Sequence, residues 1–93
     1  MKNLLILILS TNLFVAAQAQ KADSASYYQQ KGLEEKQARR YREAENNFAK
    51  AFQLAPSNSD LLIEWGIALV EQRRYREGRE KFAQAEKAGN KKP

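Results

Sequence analysis

The pentapeptide Arg-Arg-Tyr-Arg-Glu stands at residues 39–43 and again at 73–77, an offset of 34 positions. Sliding the chain by that offset also brings Gly32 onto Gly66, Leu33 onto Ile67, Phe48 onto Phe82, Ala49 onto Ala83 and Ala51 onto Ala85. Ala44 meets Gly78, small against small. So many matches in one register mean that two copies of one structural unit make up most of the chain. Repeats of this length bury their apolar faces on one another, which restricts the architecture to a stack.

Each copy reads as two helices. Residues 25–38 hold no Pro and a single Gly, with Asp23 and Ser24 placed to cap their start. Residues 41–55 set Tyr41, Ala44, Phe48, Ala51, Phe52 and Ala55 at spacings of three and four, one apolar stripe. Pro56-Ser57-Asn58-Ser59 breaks the chain and supplies caps for the next helix. Residues 60–72 form that third helix and 75–88 a fourth, stopped by Gly89-Asn90. The turns inside the hairpins fall near Arg39-Arg40 and Arg73-Arg74. The expected fold is all-α: two stacked antiparallel helix-turn-helix hairpins.

This pattern resembles the tetratricopeptide repeat (TPR) family, whose signature is Trp-x2-Leu-Gly-x2-Tyr, then Ala-x3-Phe, then Pro. The first unit matches through Tyr28 in the Trp place, Gly32, Ala44, Phe48, Ala51 and Pro56. The second matches through Leu62, Trp65 in the Leu place, Gly66, Leu69 in the Tyr place, Gly78, Phe82 and Ala85. Small residues at Gly32/Ala44 and Gly66/Gly78 let paired helices approach, and the aromatic fills the space beside them. Lys31 and Glu35 depart from the pattern where large apolar residues are wanted, and Asn90 replaces the second Pro. Both departures lie at the ends of the array, where a stack meets water. Phe52 becoming Glu86, Leu54 becoming Ala88 and Lys50 becoming Gln84 in the last helix read the same way, as a built terminus.

The two units are preceded by a different kind of sequence. Met1-Lys2-Asn3 brings one positive charge, and the apolar run Leu4–Leu9 continues past Ser10-Thr11-Asn12 to Leu13-Phe14-Val15. Ala17-Gln18-Ala19 then supplies the small-x-small pattern of a signal-peptidase site. The expected organisation is a cleavable leader helix at 1–19, a short linker at 20–24, and repeats at 25–58 and 59–92. Cleavage would leave Gln20–Pro93, 74 residues with a net charge of +4. The alternative is an uncleaved anchor, although a spanning helix wants roughly 20 consecutive apolar residues. The expected location is the periplasm of a bacterial envelope or the secreted space. With no Cys in the sequence, disulfides cannot supplement the small core.

Helix 60–72 carries Leu61, Leu62, Ile63, Trp65, Ile67, Ala68, Leu69 and Val70, apolar in every direction. Such a helix expects burial all round, and two hairpins cover only part of it. In the resembled family the first helix of each hairpin lines a concave groove that takes ligands. Carried over residue by residue, the resemblance places Ser26, Gln29, Leu33, Lys36 and Gln37 there from the first unit. The second unit contributes Asp60, Ile63, Ile67, Val70 and Glu71. Leu33, Ile63, Ile67 and Val70 would make its apolar middle, or else complete the core. Gln29 and Leu33 stand where some TPR proteins carry the Lys and Asn that hold a terminal carboxylate, so tail recognition of that kind is not expected.

Catalysis has little to draw on. The absence of His and Cys removes the usual nucleophile–base pairs and the common zinc sites. The carboxylates are scattered, and Glu35–Arg39 and Glu77–Lys81 have the order of helical ion pairs. No glycine-rich phosphate loop occurs. The expectation is therefore a non-enzyme without metal or cofactor, binding another protein or a second copy of itself and not nucleic acid. A homo-oligomeric or membrane-anchored structural subunit is the alternative. The clusters Arg39, Arg40, Arg42 and Arg73, Arg74, Arg76 have two readings: charges favourable at helix C-termini, or an edge facing anions.

Overall fold

A computed structural model describes the backbone of residues 2–89 and the side chains of residues 19–89. The described chain is all-helical. Helix α1 spans Lys2–Gln37, α2 Tyr41–Leu54, α3 Ser59–Glu71 and α4 Tyr75–Gly89. Each helix packs on the next, α1 on α2, α2 on α3 and α3 on α4, which makes two hairpins laid side by side.

The ends of α2, α3 and α4 agree with the sequence reading to within a residue, and the start of α1 does not. Residues 20–24, expected as a linker, are helical, and Asp23 and Ser24 lie inside α1 rather than capping it. A cap acts where the chain enters a helix from another conformation. Here no Pro or Gly precedes Gly32, and Ala16, Ala17, Ala19 and Ala22 are strong helix formers, so nothing turns the chain. The side chains of the expected leader's apolar run lie outside the described residues. Among the described residues no helix is long and apolar enough to cross a membrane.

The repeated pentapeptide is a helix stop. Arg39 and Arg73 adopt left-handed backbone, φ 62° and 64°. The N–H of Arg39 donates to the Lys36 carbonyl at 3.0 Å and that of Arg40 to the Glu35 carbonyl at 2.8 Å. In the second hairpin the N–H of Arg73 donates to Val70 at 2.8 Å and that of Arg74 to Leu69 at 3.0 Å. This crossed pair is the Schellman arrangement, which satisfies the last carbonyls of a helix. The α2–α3 junction is built differently: Pro56 comes just after the helix end, and the Asn58 side chain accepts from the Asp60 N–H at 3.1 Å as an N-cap.

Within each hairpin the helices close on a glycine. A Cβ on Gly32 would stand 2.5 Å from the Phe48 ring, and one on Gly66 would stand 2.5 Å from the Phe82 ring. The duplication seen in sequence is thus repeated in space. The core runs between the hairpins: Ala44, Phe48 and Ala51 of α2 meet Leu61 and Ala68 of α3, all fully buried. Tyr28, Leu33, Phe52, Ala55 and Trp65 pack around this cluster. Burial of each large apolar side chain such as Phe48 or Leu61 contributes about 1.5–3 kcal/mol.

Candidate functional site

Two faces of α3 are used by the fold. Leu61 and Ala68 look toward α2, while Gly66 approaches α4, where its carbonyl would lie 3.1 Å from a Cβ on Gly78. At 100° per residue, Asp60, Ile63, Glu64, Ile67 and Glu71 fall together on the remaining side, within about a third of the circumference. Accessibility matches that division. Leu61, Leu62, Ala68 and Leu69 are buried, Ile67 and Val70 are half-buried, and Ile63 is 41% exposed.

The four side chains expected in the middle of a groove therefore separate. Leu33 packs against the central cluster. Val70 fills the approach between α3 and α4, its Cγ2 2.7 Å from where a Cβ on Gly78 would stand. These two complete the core. Ile63 and the half-buried Ile67 remain as the apolar part of the face. Around them Gln29 and Lys36 are half-buried, and Gln37, Asp60 and Glu71 are exposed.

Lys36 of α1 donates to Glu64 of α3, Nζ to Oε2, at 2.5 Å. This pair bridges the first helices of the two hairpins. Glu64 is absent from the residues carried over by family resemblance. Its helical angle was the available signal, since it stands four residues after Asp60 and three before Ile67.

The basic edge is also divided. Arg40 donates to Glu35 at 2.5 Å, and Arg74 donates to Glu77 at 2.5 Å and to Glu45 at 2.8 Å. Glu35 and Glu77 thus pair with Arg40 and Arg74, in place of the expected Arg39 and Lys81. In the first hairpin the Schellman turn carries the chain off the helical path at Arg39 and aims Arg40 back at Glu35. In the second, Arg74 reaches forward to Glu77 in the first turn of α4, and Lys81 lies over the Trp65 ring instead. Hydrogen bonding from those guanidinium groups lowers the carboxyls of Glu35 and Glu77 below the ordinary glutamate value and raises both arginines. Arg39, Arg42, Arg73 and Arg76 are exposed and form no salt bridge among the described residues.

Glu45 is a junction that sequence reading missed. It accepts from Trp65 Nε1 at 3.4 Å, Gln72 Nε2 at 3.1 Å and Arg74 Nη1 at 2.8 Å. Its place beside the apolar stripe of α2 marked it, because a carboxylate there needs partners. Trp65 itself is held against the Phe52 ring, with Lys81 3.8 Å above its face, so it belongs to packing rather than to the open surface. No family model, curated protein or solved structure matches this chain.

Proposed function

We propose that this chain is a two-repeat, TPR-type protein-binding module, exported by its leader, that takes a segment of a partner protein on the joined outer faces of α1 and α3. The observation carrying this reading is Ile63, 41% exposed on a helix whose other large aliphatic side chains are buried or half-buried. A folding requirement does not account for an isoleucine there, since its position in the first repeat is filled by Gln29. The pairing of Lys36 with Glu64 supports a preformed surface, because it ties together two helices already placed by their packing on α2. The absence of His and Cys from the sequence supports binding over catalysis.

The test is a crosslinking pull-down with the wild-type chain and with Ile63→Asp/Ile67→Asp, each monitored by circular dichroism. Loss of specific partners with retained helicity is the expected result. Loss of helicity would assign both side chains to the core, and unchanged partners would remove this face from the function.

A further inference from the structure

The charge of α3 differs from that of the rest of the molecule. The sequence has a net charge of +5, and α1, α2 and α4 all contain Lys or Arg. Helix α3 contains Asp60, Glu64 and Glu71 and no basic residue. Lys36 neutralises Glu64, while Asp60 and Glu71 form no salt bridge among the described residues. Both are exposed, one at each end of the strip that holds Ile63 and Ile67.

Local physics explains one of these carboxylates and not the other. Asp60 lies in the first turn of α3, where the helix dipole favours negative charge. Glu71 is the last residue of α3, where the dipole opposes it. The corresponding residue of the first repeat is Gln37, which keeps the length and lacks the charge, so the hairpin geometry does not call for a carboxylate there. The corresponding residue for Asp60 is Ser26. One repeat therefore presents a neutral strip and the other an isoleucine pair bracketed by negative charge.

We infer that the occupant of this surface is a basic amphipathic segment of another protein, its apolar side chains resting on Ile63 and Ile67 and its flanking Lys or Arg residues reaching Asp60 and Glu71. The inference rests on the binding face proposed above and adds the chemistry of what it takes. Eleven helical steps separate the two carboxylates, about 16 Å at 1.5 Å per step, so the segment spans about three helical turns. Two solvated ion pairs give a preference on the order of tenfold for a basic over an acidic segment, and added salt erodes it.

Fluorescence anisotropy of the full chain tests this with three labelled peptides that share one apolar helical pattern and differ in their flanking residues: Lys, Gln or Glu. The expected order is Lys over Gln over Glu, about tenfold from first to last at low salt. The Asp60→Asn/Glu71→Gln variant should erase that order while leaving helicity unchanged, and Ile63→Ser should weaken all three peptides. Equal binding of the three, still dependent on Ile63, would overturn the charge inference and leave the binding face standing. Binding that ignores Ile63, or no binding, would overturn both. Self-association of the chain abolished by Ile63→Ser would make a second copy the occupant and also overturn the inference.

Discussion

The two hairpins share one internal design and differ in what lies outside it. In both, an aromatic closes on a glycine at the same distance, Phe48 on Gly32 and Phe82 on Gly66. In both, an arginine in left-handed backbone ends the first helix. Yet Phe48 is fully buried and Phe82 half-buried. Tyr41 is half-buried while Tyr75 is 55% exposed, and the half-buried Phe52 corresponds to the exposed Glu86. The difference is α3, which covers the far side of α2. No described helix covers the far side of α4. The repeated residues thus specify the hairpin, and the divergent ones adapt it to its place in the stack.

That contrast is most directly broken by truncating the two phenylalanines. Phe48→Ala should cost about 3–5 kcal/mol, because the cavity would open between three helices that cannot all relax. Phe82→Ala should cost about half as much, since water reaches part of the ring already and α4 can settle. Urea unfolding monitored by circular dichroism measures both. Equal losses would mean that the second hairpin is as enclosed as the first.

The glycines sharpen the same comparison at smaller magnitude. A Cβ at either position collides with a ring unless the ring moves. Phe48 is locked, so Gly32→Ala should destabilise by about 1–3 kcal/mol despite the better helix propensity of alanine. Phe82 has room on its open side, so Gly66→Ala should fall well below that. Thermal melts of the two variants should rank Gly32→Ala as the lower.

Which parts were legible in the sequence depends on the physics of each. The hairpins, their turns and the glycine–aromatic closures could be read because a duplication states each constraint twice. The start of α1 could not: capping residues were present at Asp23 and Ser24, but a cap signal has meaning only with a chain break upstream. The expected apolar groove divides among its members. The family resemblance put Leu33, Ile63, Ile67 and Val70 in one groove, but it does not say how closely α4 approaches, and the closeness of Val70 to Gly78 decided its burial. Glu45 and the Lys36–Glu64 pair depend on contacts 20 to 29 residues apart along the chain, beyond any local spacing rule.

Where the hairpins are alike, equal responses are expected. Arg39 and Arg73 sit in a conformation that costs a non-glycine residue roughly 1 kcal/mol, partly offset for glycine by its greater unfolded-state freedom. Arg39→Gly and Arg73→Gly should each stabilise the fold by about 0.5–1 kcal/mol, seen as a matched shift of the urea midpoint. A gain at one site only would show that the two turns are not equivalent, and a loss at Arg73 would point to a contact of its side chain beyond the backbone stop.

The smallest effect concerns the ion pairs beside those turns. Glu35 pairs with Arg40 in the first hairpin, and Glu77 with Arg74 in the second; both carboxyls are lowered from the ordinary 4.5, chiefly by the guanidinium hydrogen bond. A carboxyl lowered in the folded state binds fewer protons there than in the unfolded chain. Its contribution is therefore complete above pH 4.5 and disappears as the pH falls from that value through the lowered one. Glu35→Gln and Glu77→Gln should each flatten the acid limb of a stability–pH curve and leave its shape near neutrality unchanged. The hairpins should separate here, because Arg74 also binds Glu45 across the stack whereas Arg40 makes no second ion pair among the described residues. Removing Glu77 leaves Arg74 still anchored, so Glu77→Gln should flatten the curve less than Glu35→Gln. The opposite ranking would place the main anchor of Arg74 in the first turn of α4 and leave Glu45 with a minor part in joining the hairpins.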